Sequence, residues 1–154
     1  MSGPDAGGPF VLSSRQLVAA KPQMAFKLIS DLPGYGAWSP SLTTAPAAKT
    51  GEAGQLDFRI RVGKISTAFV MAGQVVASDP PHAFSWRMGG FGIQLLETFE
   101  IIPMRGGTQI THTVKCEGRF KGLIGKGLLR TYGGVMHALD AAIAGQLAMP
   151  KIRR

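Results

Sequence analysis

Cysteine is nearly absent from this chain of 154 residues, in which Cys116 is the only one. A single cysteine excludes an internal disulfide framework and is compatible with a reducing cytoplasm. The three histidines, His82, His112 and His137, are too dispersed to form a metal site with it, so we expect no metal and no cofactor. Because no nucleophile elbow accompanies Cys116, we expect a small buried hydrophobic residue there rather than a nucleophile.

Long apolar runs and a recognisable leader are also missing. No apolar run approaches the roughly 18 residues that span a bilayer. The opening MSGPDAGGPF has neither a basic n-region nor an apolar h-region. We therefore expect a cytoplasmic protein with a flexible tail at residues 1–9, one domain at 10–149 and a basic tail at 150–154, because the length suits one domain and no linker or repeat divides the chain.

Acidic residues are scarce, since nine Asp and Glu stand against 17 Lys and Arg and leave a net charge of +8. Such a charge suits nucleic acid, an anionic membrane surface or acidic ligands, and it also serves solubility. The segment 122–127, GLIGKG, lacks the Ser or Thr that follows the lysine of a phosphate-binding loop. It resembles the GxxG loop of KH domains, but strands precede it here instead of a helix. We do not expect nucleic acid to bind, and peripheral contact with an anionic membrane stays an open prediction.

The longest regular pattern lies between about residues 122 and 149. Apolar side chains recur there at three- and four-residue intervals, which is typical of an amphipathic helix. These are Leu128, Tyr132, Val135, Met136, Leu139, Ala142, Ile143 and Leu147. Gly122, Gly125 and Gly127 each weaken a helix by about 1 kcal/mol relative to alanine. We expect the helix to begin near Leu128, after a mobile glycine-rich segment that offers a route for ligand entry.

The preceding chain alternates apolar and polar residues with a period of two, which predicts strands. Strands are predicted at 10–19, 54–62, 65–77, 84–88, 93–102 and 108–117. The segment KPQMAFKLISD predicts a short helix with Pro22 in its first turn, and a second tiny helix after it stays open. Because strands and helices are segregated, we predict an α+β fold in which the terminal helix covers one face of an antiparallel sheet.

Three stretches, taken together, resemble the START/polyketide-cyclase superfamily, also called SRPBCC or Bet v 1-like proteins. They are Pro22…Phe26…Ile29-Ser30-Asp31-Leu32…Tyr35…Trp38-Ser39-Pro40, Val75…Asp79-Pro80-Pro81…Phe84-Ser85-Trp86, and Phe99-Glu100-Ile101…Gly106-Gly107-Thr108-Gln109-Ile110-Thr111. The resemblance extends from about residue 10 to 148. It implies a helix-grip fold, in which a curved antiparallel sheet wraps the C-terminal helix around an apolar cavity. Members bind lipids, sterols, polyketides, quinones or hormones, and some are cyclases or aromatases.

Strand parity and the helix stripe predict which side chains contact a ligand in that cavity. They are Phe58, Ile60, Phe69, Met71, Phe84, Trp86, Leu95, Glu97, Phe99, His112, Val114, Tyr132, Met136 and Leu139. Tyr132, with Thr67 or Thr108, could add hydroxyl donors. The composition suits a pocket for an apolar ligand, although the same side chains could simply fill a core.

Glu97 and His112 are the candidate acid–base pair. Both lie on the apolar parity of adjacent hairpin strands, opposite or diagonal to each other and within side-chain reach. A buried carboxylate is costly unless it is paired, and an imidazole would satisfy it. The pair could orient a ligand, shuttle a proton or serve as a satisfied core pair, and the last is favoured over catalysis. His137 and Asp140 are expected to form a solvated pair on the outer side of the helix.

We therefore predict a monomer or homodimer that binds, and could transport, a hydrophobic small molecule or lipid. The alternative is a polyketide cyclase, aromatase or dehydratase in which Glu97 and His112 perform acid–base chemistry. The sequence contains no definite catalytic motif, so the choice between carrier and enzyme stays open.

Overall fold

The computed structural model describes residues 9–47, 54–63, 69–90 and 92–148. The predicted tail residues 1–8 and 150–154 lie outside these ranges, as does Thr67.

Within these ranges the chain forms seven strands and two α-helices. The strands are β1 (Val11–Val18), β2 (Leu42–Pro46), β3 (Gln55–Ile60), β4 (Phe69–Asp79), β5 (Ala83–Gly90), β6 (Ile93–Met104) and β7 (Gly107–Glu117). The helices are α1 (Pro22–Ser30) and α2 (Lys126–Ala148), with a 3₁₀ helix at Leu32–Ala37 and a π-helical turn at Lys121–Gly125.

The differences from the predicted elements have local causes. Strand β2 was not predicted, because its sequence LTTAP has no alternation, and its pairing with β3 establishes it. Helix α2 begins at Lys126, two residues before the expected Leu128, because the π-helical turn leads directly into it. Pro22 occupies the first turn of α1, as predicted, where its fixed φ fits the helix and its missing N–H needs no partner.

All seven strands form one antiparallel sheet in the order β1-β7-β6-β5-β4-β3-β2. The hairpin-linked strands β2 to β7 run in sequence order, and β1 adds to the outer side of β7. The sheet curves around the long C-terminal helix. The predicted α+β helix-grip fold is confirmed.

The core lies between the concave face of this sheet and helix α2. An aromatic group centred on Trp86 occupies its middle, with ring centroids 5.7 Å from Phe58 and 5.6 Å from Phe99. From α2, five residues of the predicted stripe are buried, namely Tyr132, Val135, Met136, Leu139 and Ile143. Leu129, which was not predicted, is buried with them, whereas Leu128, Ala142 and Leu147 are only half-buried. Burial of each large apolar side chain contributes about 1.5–3 kcal/mol, which is what holds the helix on the sheet.

Helix α2 packs close to β1 and β7 and is also tied to the opposite edge of the sheet, where the Ser41 hydroxyl just before β2 donates to the Val135 carbonyl oxygen at 3.0 Å. It also contacts α1. Strands β3 and β4 are on the other side of the sheet order, where Phe69 and Val70 remain 57% and 53% exposed. No residue of β4 is buried, so this part of the sheet is available for a ligand-sized space. No helix among the described residues is long and apolar enough to cross a membrane.

Candidate functional site

An apolar cleft of about 740 Å³ lies between β3–β4 and the start of α2. Its sheet side is formed by Ile60, Val62, Phe69, Val70 and Met71, and its helix side by Leu123, Ile124, Gly127, Leu128, Thr131 and Tyr132. The volume is within the range of about 300–1,000 Å³ that small-molecule sites occupy. Two hydroxyl-bearing side chains on an otherwise aliphatic and aromatic wall suit a mostly apolar ligand.

A second pocket of about 290 Å³ adjoins this cleft. The two share Val70, Met71 and Leu128, and the second pocket extends to Leu95 on β6. The shared residues place the two apolar pockets next to each other.

Five of the predicted ligand-binding residues line these pockets: Ile60, Phe69, Met71, Leu95 and Tyr132. The others belong to the buried interior: Phe58, Phe84, Trp86, Glu97, Phe99, His112, Val114, Met136 and Leu139. Parity identified the concave face correctly, but it contains no information about which part of that face the helix covers. The cleft residues Val70 and Thr131 were missed because they lie off the predicted apolar parity and stripe. Leu123 and Ile124 were missed as lining, although an apolar pair inside the glycine-rich segment was a usable signal.

The predicted contact between Glu97 and His112 is present. His112 Nε2 lies 2.6 Å from Glu97 Oε2, and the two side chains are 1% and 0% exposed. His112 pairs across the strands with Phe99, two residues from Glu97, so the acid–base pair is diagonal. The alternation of β6 and β7 places both side chains on the concave face.

Three more side chains complete what we call the polar cluster, which comprises Ser14, Glu97, His112, Tyr132 and Asp140. The Tyr132 hydroxyl donates to Glu97 Oε1 at 2.6 Å. His112 Nδ1 lies 2.5 Å from Asp140 Oδ1, and Ser14 Oγ donates to Asp140 Oδ2 at 2.5 Å. The cluster therefore joins three neighbouring strands, β1, β7 and β6, to helix α2.

The prediction of a solvated pair between His137 and Asp140 was wrong. His137 is exposed, but Asp140 is half-buried and bonded to His112. Asp140 follows Tyr132 by eight residues, which places it only about 80° around the helix and at the margin of the buried stripe. Ser14 and Gln16 were the available signal, since both are polar residues on the inward parity of β1. Gln16 Nε2 donates to the Asp140 carbonyl oxygen at 3.1 Å.

The charges of the cluster follow from its geometry. Burial lowers the pKa of His112, but its hydrogen bonds to the Asp140 and Glu97 carboxylates and their negative charges outweigh burial and raise it to about 9. Both ring nitrogens face carboxylate oxygens, so an imidazolium satisfies both acceptors by donating two hydrogen bonds. Burial, together with the Glu97 charge, raises the pKa of Tyr132 well above 10. Near neutral pH the cluster is a cation held between two anions, with a neutral phenol donating to one of them.

This arrangement limits the acid–base chemistry that the pair can perform. His112 is already protonated near neutral pH, and a protonated imidazole cannot act as a general base. Each oxygen of Glu97 and Asp140 accepts a hydrogen bond from within the cluster. Tyr132 is shared between the cluster and the cleft wall, so any influence of the cluster on a ligand passes by way of this residue.

Two other candidates are structural. Thr108 Oγ1 donates to the Ala20 carbonyl oxygen at 2.6 Å, which ties the start of β7 to the end of β1. Cys116 is fully buried, and burial raises the pKa of its thiol. In the part of the chain that the structure describes, no group of three His, Cys, Asp or Glu residues could hold a metal ion.

The sequence matches the family described as "Polyketide cyclase / dehydrase and lipid transport" over residues 9–144. The chain belongs to this family. The resemblance to the START/polyketide-cyclase superfamily is thereby confirmed. No curated protein matches the sequence.

Solved structures with the same fold include proteins of this superfamily at low sequence identity. A START superfamily protein from Mycobacterium smegmatis is 17% identical, with a TM-score of 0.69 over 89% of this chain and 96% of that one. The Zhui aromatase/cyclase from Streptomyces sp. R1128 is 15% identical, with a TM-score of 0.67 over 89% and 92%. The di-domain ARO/CYC StfQ from the steffimycin biosynthetic pathway is 10% identical, with a TM-score of 0.71 over 90% of this chain and 50% of that one. At these identities the similarity establishes the fold alone.

Proposed function

We propose that this member of the polyketide cyclase/dehydrase and lipid transport family binds a hydrophobic small molecule or lipid in the cleft between β3–β4 and α2. The observation that carries the proposal is an accessible cleft of about 740 Å³ whose wall is almost entirely apolar. Exposed apolar surface of this kind is unfavourable in water, and a ligand that covered it would gain roughly 25 cal/mol for each Å² buried.

The polar groups of the cleft indicate a ligand with at most a small polar end. Thr131 and Tyr132 are the hydroxyl-bearing residues of the helix side, and Tyr132 is only 2% exposed. Because the Tyr132 hydrogen is donated to Glu97, its phenolic oxygen is left as an acceptor. A hydroxyl on the ligand could use that acceptor, whereas an anionic end would face the nearby Glu97 carboxylate. An apolar body with a neutral hydroxyl end therefore fits the site best.

A cyclase or dehydratase activity is the second candidate, and the position of Tyr132 favours it. Tyr132 is hydrogen-bonded to Glu97, and Glu97 is hydrogen-bonded to His112, so Tyr132 connects the cleft to both residues. Two features favour binding over catalysis. His112 is protonated near neutral pH, and its Glu97 partner is fully buried.

Native mass spectrometry of the purified protein, before and after organic extraction, tests the proposal. We expect an adduct that extraction removes, and a neutral fluorescent apolar probe such as N-phenyl-1-naphthylamine should then bind the emptied protein. Thr131→Trp places an indole inside the cleft at an exposed position, and we expect it to weaken probe binding at least about tenfold. The matched control is Ser13→Trp, which adds the same bulk at an exposed position on β1.

Equal probe binding by wild type and Thr131→Trp would overturn the cleft as the binding site. The extracted ligand also separates the two candidate functions when it is returned to the protein and analysed again. A ligand recovered unchanged supports binding, and recovery as a product that has lost water would favour the dehydratase alternative.

A further inference from the structure

Large apolar side chains project into solvent at the π-helical turn before α2. Leu123 is 83% exposed, and Ile124 and Phe120 are 49% and 45% exposed. Leu123 and Ile124 are consecutive, and both lie at the rim of the cleft. Isolated exposed apolar residues are ordinary, but a cluster at the mouth of a cavity marks an interaction surface.

The backbone holds this turn in place. The Phe120 N–H donates to the Gly92 carbonyl at 3.0 Å, and the N–H groups of Leu123 and Ile124 both donate to the Phe120 carbonyl, at 3.1 and 3.2 Å. Gly125 is buried so tightly that a Cβ there would lie 3.2 Å from the Cys116 sulfur. The exposure of Leu123 therefore results from an anchored turn and not from the fraying of a helix end.

Basic side chains surround the apolar residues. Arg119, Lys126 and Arg130 are exposed at the two ends of the turn and on the first turns of α2. The sequence contains no acidic residue from 118 to 139, so this cationic charge is not balanced locally along the chain. An apolar tip ringed by cations matches a bilayer that has anionic headgroups above an acyl interior.

We propose that this docking surface, comprising Arg119, Phe120, Leu123, Ile124, Lys126 and Arg130, binds anionic membranes by inserting Leu123 and Ile124 among the acyl chains. The basic side chains contact the lipid phosphates. Docking itself depends only on the surface. The consequence for function, that the mouth of the cleft then opens toward the bilayer and a lipid can pass between them, rests on the proposed function.

The same features disfavour other occupants of the surface. A second copy related by a two-fold axis would bring Lys126 and Arg130 against like charges, which opposes a dimer through this face. Single-stranded nucleic acid is bound through aromatic side chains on which bases stack, whereas Leu123 and Ile124 are aliphatic. An anionic bilayer would contact both the basic side chains, through its headgroups, and the aliphatic side chains, through its acyl interior.

Vesicle flotation with purified full-length protein tests the proposal. We expect binding to phosphatidylglycerol/phosphatidylcholine vesicles, little binding to phosphatidylcholine alone, and weakening as salt is added. Lys126→Gln/Arg130→Gln should lower partitioning roughly thirtyfold, at about a fivefold loss for each cation removed. Leu123→Ser/Ile124→Ser should lower it at least about tenfold. Leu123→Trp should show a blue-shifted emission that brominated acyl chains quench.

Matched controls lie at the far end of the sheet, where Leu17 is 69% and Met104 45% exposed. Leu17→Ser/Met104→Ser removes a comparable apolar exposure and should leave vesicle binding unchanged. Arg15→Gln/Arg105→Gln is the corresponding control for charge and should also leave it unchanged. The proposal would be overturned by equal binding to neutral and anionic vesicles, or by unchanged vesicle binding in either test variant. Self-association of the protein in place of vesicle binding would also overturn it.

The two proposals fail separately. Lys126→Gln/Arg130→Gln changes no side chain of the cleft wall, so probe binding should survive when vesicle binding is lost. Thr131→Trp should instead lose probe binding and keep vesicle binding. Loss of vesicle binding in Thr131→Trp, together with retained probe binding, would contradict both assignments.

Discussion

His112 is the residue with the most consequences for this molecule. It bonds to Glu97 on the neighbouring strand and to Asp140 on helix α2, and it stacks on Phe99 with 4.0 Å between ring centroids. A buried ion pair adds little compared with a well-packed apolar core, but removing one partner leaves an uncompensated charge. We interpret the polar cluster as a device that fixes where the helix lies on the sheet.

The stability of the protein should depend on pH because of His112. Its folded-state pKa of about 9 is above the unfolded value of 6.5, so the stabilisation is fully present below about pH 6.5 and is lost as pH rises through about 9. The Glu97 and Asp140 carboxylates and the Tyr132 phenol are the groups that face this ring or its partners. We expect the free energy of unfolding to fall by on the order of 3 kcal/mol across that window, measured by urea denaturation.

His112→Gln should remove this pH dependence and destabilise the protein by about 3 kcal/mol near neutral pH. His137→Gln, at an exposed position on α2, is the matched control and should keep the wild-type profile. Parallel profiles for wild type and His112→Gln would show that another group causes the dependence.

At the scale of elements, the glycines of α2 and of the sheet have different physical roles. Gly134 and Gly145 lie inside α2, and a Cβ at either would meet no atom within 4 Å. Gly73 lies on β4 where a Cβ would collide with the Arg87 carbonyl oxygen of β5 and lie 2.9 Å from Met88 Cα. Helix glycines with open space cost conformational entropy, whereas Gly73 allows two strands to pair closely.

Alanine substitutions at the helix glycines and at Gly73 should therefore change the free energy of unfolding in opposite directions. Gly134→Ala and Gly145→Ala should each raise the free energy of unfolding by about 0.5–1 kcal/mol, because alanine has the higher helix propensity. Gly73→Ala should lower it by about 1–3 kcal/mol, because its Cβ must displace backbone of the next strand. Thermal and urea unfolding measure both effects, and a stabilised Gly73→Ala protein would contradict the tight pairing of β4 with β5.

At the scale of the whole molecule, burial is uneven across the sheet, since β6 and β7 alternate buried residues along most of their length whereas no residue of β4 is buried. Helix α2 contacts β1 and β7, while β3 and β4 form the wall of the cleft. A sheet region with fewer buried side chains opens locally at lower free energy than the core. The binding function proposed here thus uses the least supported part of the fold.

Hydrogen exchange should report this uneven burial. We expect the amides of β6 and β7 to exchange at least about tenfold more slowly than those of β3 and β4, measured by mass spectrometry on the extracted protein. Returning the ligand should slow exchange in β3 and β4 and leave β6 and β7 unchanged. The Ser13→Trp protein is a control that should respond as wild type does, whereas Thr131→Trp should not respond. Uniform protection across the sheet would contradict a functional role for this uneven burial.

Much of the fold was predictable because it depends on local alternation. Two-residue periodicity located most of the strands, and three- and four-residue periodicity located α2, since each pattern reflects one buried face. Strand β2 could not be found in this way, because a five-residue segment is too short to show alternation and depends on its partner strand. The contact between Glu97 and His112 was predictable, because a short hairpin brings diagonal residues together.

The sequence by itself determined an α+β fold with one apolar sheet face and a buried carboxylate–imidazole pair, and its resemblance to the START/polyketide-cyclase superfamily implied the helix grip. Only the tertiary structure decided that Asp140 and Ser14 complete the pair, and that most of the predicted ligand contacts fill the core while a few line a cleft. The physical reason is that periodicity specifies the face on which a side chain lies. The lateral position of a helix over a sheet depends instead on contacts between residues far apart in the chain, such as the 28-residue separation of His112 and Asp140.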